Sequence, residues 1–212
     1  YPMGIKTRYV KKYLYKSRVR SALVWAVQII VVLLLAALFS IYMCKSAVVQ
    51  EGSMDPTLKA GDKVMINTAA YRFSSPQRGD IIAFRLNEDS DSSIHIKRII
   101  GLPGETIMIH EGQVTIDGEA YPEEDMPAID NPGVAEKPLT LGKNEYFVLG
   151  DNRNSSEDSR YTTIGMVDEK CIVGKIWLRT EPIRDFALIL RKEPGALKDS
   201  SGNPRYRKGM KQ

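Results

Sequence analysis

The sequence predicts a mainly β domain that follows one membrane-spanning helix near the amino terminus. Two observations carry this prediction: an uncharged apolar run at 21–43, and a succession of short apolar or alternating runs after residue 45. Those short runs are bounded by Gly, Pro, Asn or Asp, residues that favour turns. Many short strands separated by such turns are typical of an all-β barrel or sandwich.

The segment 21–43 is predicted to be a membrane anchor. It contains one amide, Gln28, and no charge, and a helix of this length spans about 35 Å, enough to cross a hydrocarbon layer of about 30 Å. Trp25 and Tyr42 lie near its ends, where membrane helices are enriched in aromatic residues. A cleaved signal peptide would have a shorter apolar run and a small-residue cleavage site. A lipoprotein signal ending at Cys44 would have small residues before that cysteine, and a buried core helix would have a polar face. We therefore expect an uncleaved anchor.

The basic charge of the chain is concentrated at its start. Residues 1–20 contain Lys and Arg at seven positions and no acid, whereas Lys45 stands alone after the apolar run. This asymmetry predicts a basic cytoplasmic arm at 1–20 and a body outside the cytoplasm. Tyr1-Pro2-Met3 resembles a cloning remnant before a natural start at Met3 and is left out of the fold prediction.

The composition of the body argues against several classes of partner. The 192 residues after the arm carry 23 basic and 26 acidic side chains, so they do not supply the basic surface that nucleic acid requires. The two cysteines, Cys44 and Cys171, predict no disulfide framework. No His/Cys cluster or CxxC pair in the sequence suggests a metal.

Seven runs in the body are predicted strands. They lie at Lys63 to Ile66, Asp80 to Arg85, Ile94 to Ile100, Thr106 to Ile109, Gln113 to Ile116, Glu145 to Leu149 and Ile172 to Leu178. The dipeptides Glu111-Gly112 and Asp117-Gly118 predict a hairpin between Thr106 and Tyr121. The stretch 121–143, rich in Pro, Glu, Asp and Gly, predicts an exposed insertion, and 183–212 predicts a partly disordered tail. Whether 183–190 lies on the membrane or ends the barrel is left open by the sequence.

A candidate nucleophile and base lie in two separate stretches. Ser53 lies in "EGSMDPTL" at 51–58, and Lys97 lies on a predicted strand in "HIKRIIGLPGE" at 95–105. A lysine with a pKa of about 10.4 is a poor base at neutral pH, but burial can lower that pKa by several units. A neutral buried lysine can then accept the proton of a serine hydroxyl. Taken singly, each residue is more typical of a solvated strand or a turn.

A third stretch, "GDNRNSSEDSR" at 150–160, strengthens the pairing because it follows the strand "YFVLG" and concentrates polar groups in one loop. A buried neutral amine needs a hydrogen-bonding partner to orient it, and a hydroxyl from this loop would serve. Asp158 and Arg160 are able to fix the loop by an ion pair.

"GSMDPTL", "KRIIGLPGE" and "GDNRNSSEDSR", together with "GDKVMINTAAYRF" and "RGDIIAF", follow an amino-terminal anchor in this order. In that arrangement the chain resembles bacterial type I signal peptidase over about residues 20–180. The resemblance implies a serine endopeptidase that uses a Ser–Lys dyad, needs no metal or cofactor, and removes signal peptides from secreted preproteins after small residues. Ser53 matches the nucleophile and Lys97 the general base. Ser156 matches the hydroxyl that orients the lysine, and Asp158 and Arg160 match a supporting ion pair.

The resemblance also implies the architecture of the body. The expected fold is a coiled antiparallel β-sheet protease domain at 46–182, with an inserted β subdomain around 104–144. Tethering this domain to the membrane that holds its substrate would raise their effective concentration.

The substrate is expected to bind extended beside the segment Ile94 to Lys97, so the predicted cleft contains Met54, Ile94, His95 and Ile96. His95 is a rival base, but no orienting acid lies near it in the sequence, and we expect it to line the cleft. Glu51 departs from the family pattern, which has Ser, Thr or Gly two residues before the nucleophile. A carboxylate cannot donate to an oxyanion and would repel it, so Glu51 puts the oxyanion hole in doubt.

Two alternatives remain at this stage. Self-cleaving bacterial repressors share a Ser–Lys core, but they carry a DNA-binding domain where this chain has an apolar run. A non-catalytic peptidase-like scaffold that assists the assembly of surface pili would tolerate Glu51, although it would have little chemical reason to keep Ser53, Lys97 and Ser156 together.

Overall fold

The computed structural model of the chain describes residues 20–38, 44–72, 74–87, 92–123, 126–189, 197–198 and 204–205. The basic arm at 1–19, the end of the apolar run at 39–43 with Tyr42, and nearly all of the tail after 189 therefore lie outside the described residues. The chain divides into two units, Tyr1–Met43 and Cys44–Gln212.

The first unit contains helix α1 (Arg20–Leu38). This helix has 19 residues and a mean hydropathy of 2.6, and its side chains are not buried in the protein. Its length and composition are sufficient to cross a membrane, since 19 residues rise about 28 Å.

The second unit is mainly β, as the sequence predicted. Its strands are β1 (Cys44–Val48), β2 (Lys63–Asn67), β3 (Ile81–Phe84), β4 (His95–Gly101), β5 (Thr106–His110), β6 (Gln113–Ile116), β7 (Glu119–Ala120), β8 (Leu139–Thr140), β9 (Glu145–Leu149), β10 (Val167–Asp168), β11 (Ile172–Glu181), β12 (Ala187–Leu188), β13 (Leu197–Lys198) and β14 (Pro204–Arg205). Every pairing between described strands is antiparallel. The main sheet has the order β1-β2-β11-β3-β4-β9-β10, and β12 also pairs with β11.

All seven predicted runs form strands, with bounds that differ by at most three residues. The sequence prediction missed β1, which has an exposed and weakly apolar pattern, and the two-residue strands β7, β8, β10, β12, β13 and β14. β1 is a strand because it pairs along its whole length with β2, from Cys44 opposite Asn67 to Val48 opposite Lys63.

The central strands β3 and β4 are buried on both faces, and this burial explains why β3 is apolar throughout. In β3, Ile81 and Ala83 belong to one core cluster, whereas Ile82 and Phe84 belong to another. In β4, six of the seven residues are buried. Because both faces are covered, any charged side chain on β4 is removed from water.

A separate four-stranded sheet, β7-β6-β5-β8, is formed within the segment 106–140. The predicted hairpin is present, with positive φ at both residues of each turn, Glu111-Gly112 and Asp117-Gly118. Such turns match the twist of antiparallel strands. This sheet packs its apolar face with Phe147 and Leu149 of β9 into a third core cluster.

The segment after β11 returns to the main sheet. A short 3-10 helix, Ile183–Asp185, precedes β12, in which Ala187 pairs with Arg179 and Leu188 with Leu178. Residues 187–188 thus extend the main sheet, while the apolar side chains of Ile183, Phe186 and Leu188 remain exposed.

Candidate active site

Ser53 lies in a 3-10 turn, Gly52–Met54, between β1 and β2. Met54 is fully buried and anchors the turn in the core beside Val64 and Ile66. The loop after β9 donates two hydrogen bonds to carbonyl groups of this turn. The Asn152 backbone amide donates to Ser53 O at 3.0 Å, and Asn152 Nδ2 donates to Gly52 O at 3.2 Å. The backbone at Ser53 is therefore fixed from two sides.

The Lys97 amine meets the Ser53 hydroxyl directly, with Nζ 2.6 Å from Oγ. Lys97 lies in the middle of β4, opposite Ile82 of β3, and is 1% exposed. Burial lowers the pKa of Lys97 from its ordinary value of 10.5, and the charges of Glu51, Asp158 and Glu157 oppose this change. Burial thus makes the amine easier to deprotonate than a solvated lysine, as a lysine base next to a hydroxyl requires.

Asp158 and Arg160 form a buried, two-pronged ion pair. Arg160 Nε donates to Asp158 Oδ1 at 2.8 Å, and a terminal nitrogen donates to Oδ2 at 2.9 Å. The carboxylate also accepts from the Gly150 amide at 3.1 Å, and the guanidinium donates to the carbonyl of Arg153 at 2.6 Å. The pair therefore links the end of the 150–160 loop to its beginning at Gly150, the residue that follows β9.

Ser156 is 9% exposed, but its hydroxyl has no hydrogen-bond partner among the described residues. The expected hydrogen bond from Ser156 to Lys97 is therefore not formed in this structure. The Lys97 amine is directed to Ser53, and the Ser156 hydroxyl packs instead against Gly150, where a Cβ atom would clash with both Ser156 Oγ and Ser53 O.

A second buried ion pair supports the nucleophile turn, and the sequence analysis missed it. Arg98 donates to both oxygens of Asp151, at 2.7 and 2.6 Å, and to the carbonyl of Gly79 at 2.8 Å. The same carboxylate accepts from the Thr57 hydroxyl at 2.6 Å. Arg98 follows Lys97 on β4, and Asp151 precedes Asn152, so the pair ties the strand of the base to the loop that holds the nucleophile.

An open cleft lies beside the Ser53–Lys97 pair. It is lined by the predicted cleft residues Met54, Ile94, His95 and Ile96, and also by Val48, Val49, Gln50, Glu51 and Ser93. The walls are thus the chain leading into the nucleophile turn and the first half of β4. Its lining is mixed, with polar side chains such as Gln50, Glu51 and Ser93 beside apolar ones such as Ile94.

Two titratable side chains of the cleft lie near Lys97. Burial, followed by the charge of Lys97, lowers the pKa of His95 from 6.5, so the imidazole is harder to protonate than a solvated one. The His95 ring contacts Phe84, with centroids 5.6 Å apart. Glu51 is 65% exposed, yet its Oε2 lies 3.8 Å from Lys97 Nζ, so the carboxylate faces the dyad rather than pointing away.

The 150–160 loop is also joined to the inserted segment. Arg153 is ion-paired with Glu123, with a second contact at 2.5 Å, and Asn154 exchanges hydrogen bonds with the backbone of Ala128 and Asp130 at 3.0 Å. The Val134 amide donates to the carbonyl of Arg160 at 2.9 Å. In the part of the chain that the structure describes, no three His, Cys, Asp or Glu side chains are grouped as a metal site.

Comparison with known proteins identifies the family. The model of the family "Signal peptidase, peptidase S26" matches residues 22–180. A probable signal peptidase I-2 of Synechocystis is 32% identical over 152 residues, which cover 70% of this chain and 68% of that protein. Signal peptidase IB of Staphylococcus aureus is 28% identical over 186 residues, which cover 79% of this chain and 93% of the relative.

A crystal structure of a signal peptidase I from Enterococcus faecalis is 33% identical to this chain, with a TM-score of 0.39 and a match that covers 48% of this chain and 97% of that one. On the family match, which spans 22–180, this chain belongs to the signal peptidase family of peptidases, S26.

Proposed function

We propose that this chain removes signal peptides from secreted preproteins, with Ser53 as nucleophile and Lys97 as general base. One observation supports these roles above all others: the 2.6 Å distance between Lys97 Nζ and Ser53 Oγ, with the lysine 1% exposed. Neither group needs to move before a proton passes from the hydroxyl to the amine. The scaffold alternative is not favoured, because the relatives are named as peptidases.

The reaction follows two steps in which the lysine carries one proton. Ser53 Oγ attacks the scissile carbonyl carbon while neutral Lys97 accepts the hydroxyl proton and becomes an ammonium. The ammonium gives this proton to the leaving amine, which departs as the mature protein and leaves an acyl-enzyme. Neutral Lys97 then takes a proton from water, the resulting hydroxide attacks the ester, and the proton returns to Ser53 as the signal peptide leaves.

The supporting residues act through the backbone of the two catalytic groups. The Asp158–Arg160 pair keeps the 150–160 loop closed, and that loop donates hydrogen bonds to the carbonyl groups of the nucleophile turn. Ser156 takes its proposed orienting role only after its hydroxyl turns away from Gly150 toward the amine. A serine side chain makes such a turn by changing one torsion angle between staggered positions.

The substrate is proposed to bind as an extended strand in the cleft, beside Ile94–Lys97. Added strands obtain affinity from backbone hydrogen bonds and specificity from alternate side chains. Among the apolar residues of the cleft, Ile94 is half-buried, and its surface suits small apolar side chains before the cut.

We propose that α1 holds the enzyme in the bilayer, with the amino terminus in the cytoplasm and the β unit outside. The length and composition of α1 support its place in the bilayer, and the seven basic residues at 1–20 support the orientation. Protease added to intact spheroplasts should digest the β unit. Protection of that unit until the cells are lysed would reverse the orientation.

The dyad is tested with the full chain in detergent and a preprotein peptide that has small residues before the cut. Ser53→Ala and Lys97→Ala should each lower kcat/KM by at least roughly 10³-fold, because each removes one half of the nucleophile–base unit. Ser155→Ala and Lys63→Ala are matched controls at an exposed serine and an exposed lysine and should keep activity. Normal cleavage by either dyad variant would reject the assignment.

A further inference from the structure

The Glu51 carboxylate stands out among the charges around Lys97. Within the described ranges, it is the one carboxylate at ion-pairing distance from the amine, at 3.8 Å. Its side chain is 65% exposed at the rim of the cleft. The charge of an otherwise solvated residue is therefore brought against the buried base.

The other charged groups that act on Lys97 are compensated or have a smaller effect than Glu51. Asp158 is bound on both oxygens by Arg160, whose positive charge acts on Lys97 in the opposite direction. Glu157 accepts a hydrogen bond from Thr163 at 2.6 Å and has a smaller effect on Lys97 than Glu51. Burial lowers the pKa of His95, which makes a positive charge on its imidazole less favourable. Glu51 thus supplies the main negative charge that no other described side chain cancels.

We propose that Glu51 is a positioning residue for the base, whose carboxylate holds the Lys97 ammonium after the lysine has taken the Ser53 proton and also retains that ammonium in the free enzyme. The proposal rests on the dyad function above. It assigns Glu51 to the amine side of the site, whereas the sequence alone raised the possibility of an effect on the oxyanion. The consequence is an enzyme that needs a higher pH to become active.

The sign of the effect follows from the two forms of the lysine. Negative charge next to Nζ stabilises the ammonium and so raises the pKa of Lys97, opposing the larger effect of burial. Removing the charge releases the proton at lower pH. The acid limb of kcat/KM, where activity falls as Lys97 becomes protonated, must then move to lower pH in a variant without the carboxylate.

The size of the movement is limited by the exposure of Glu51. The small energies of ion pairs with a solvated partner correspond to a shift of about 0.1–0.7 pH unit in the acid limb. At the foot of the acid limb, this shift is a gain in kcat/KM of up to about fivefold at fixed pH.

The test compares pH profiles of kcat/KM for the full chain in detergent, with the same preprotein peptide throughout. Glu51→Gln should move the acid limb to lower pH, and Glu51→Asp, which keeps the charge, should bring the limb back toward the wild-type position. Glu111→Gln removes the same charge at an exposed turn on the inserted sheet and should leave the limb in place. Thermal stability should be equal in all four proteins, since both carboxylates are exposed.

Glu51 also acts on His95, so the comparison is repeated in a His95→Gln background. A limb that still moves in this background supports an effect through Lys97. A limb that stays fixed in Glu51→Gln, or that moves only when His95 is present, overturns the proposal. Loss of cleavage by Ser53→Ala separates this outcome from failure of the dyad itself, because the dyad survives either result.

Discussion

Replacement of Gly150 by alanine should disable the site with little damage to the fold. Gly150 does not have the positive φ that strains other residues, so its backbone accepts a side chain, but the added Cβ atom would lie inside 3.0 Å of both Ser53 O and Ser156 Oγ. Real Cβ atoms essentially never make such contacts, and one of the two neighbours is backbone that cannot rotate away. The carbonyl of Ser53, and the hydroxyl attached to the same residue, must move.

The size of the effect can be bounded from this geometry. Overpacking by one methyl group costs about 1–3 kcal/mol of stability, whereas a misplacement of a reacting group by about 1 Å costs about 100-fold in rate. We therefore expect kcat/KM for a preprotein peptide to fall by about 100-fold while the protein still unfolds cooperatively. Gly142→Ala is the matched control, since its Cβ would meet the flexible side chain of Glu145 at 3.0 Å. Activity of Gly150→Ala within threefold of wild type would refute the close approach of the loop to the nucleophile.

Three further predictions follow from buried charges and anchors. Lys97→Met should abolish cleavage yet raise the unfolding temperature. Burial lowers the folded-state pKa of Lys97, so the contribution of this lysine to stability declines as pH falls from 10.5 through the folded pKa. The stability gained with Met, measured by calorimetry, should therefore be larger at pH 7 than at pH 11. Asp151→Ala should lower the free energy of unfolding in urea by about 3–5 kcal/mol, because it leaves the Arg98 guanidinium buried without its partner. The Arg98→Met/Asp151→Ala double variant should lose less stability than the sum of the two single variants. Additive losses would argue against the pair. Asn152→Ala should lower kcat/KM by less than tenfold, because it removes only the hydrogen bond from the side chain to Gly52 O. The backbone N–H of residue 152 still donates to Ser53 O after the change. A loss as large as that of the dyad variants would give the side-chain amide a direct role.

The fold was predictable from the sequence where the side chains of a strand show an alternating or continuous apolar pattern. β2 alternates buried and half-buried residues, and β3 is apolar throughout because it lies between two core clusters. β1 carries no such signal, since Cys44–Val48 is largely exposed and becomes a strand by pairing with β2. Pairing between segments distant in sequence is a tertiary property that local patterns do not encode.

The site residues that belong to a recognisable motif were predictable from the sequence. Residues whose role depends on their burial in the folded protein were not. Ser53, Lys97, Asp158 and Arg160 were located from three short blocks, and the structure brings the first two within 2.6 Å. The Arg98–Asp151 pair was missed because an arginine on a strand is ordinarily solvated.

A signal for this missed pair was present. Arg98 lies in the middle of an apolar run that predicts burial, and a buried guanidinium requires a carboxylate, which the polar loop after β9 supplies. The position of the Ser156 hydroxyl depends on a single side-chain torsion, which no sequence block specifies.

The contacts that join the inserted segment to the 150–160 loop have a consequence for protein engineering. Glu123, Ala128, Asp130 and Val134 on one side meet Arg153, Asn154 and Arg160 on the other. A chimaera that receives the insertion of a relative without the matching loop would leave the Arg153 guanidinium buried with no counter-ion and would loosen the support of the nucleophile. The two segments are therefore expected to be exchangeable only together, as one cassette.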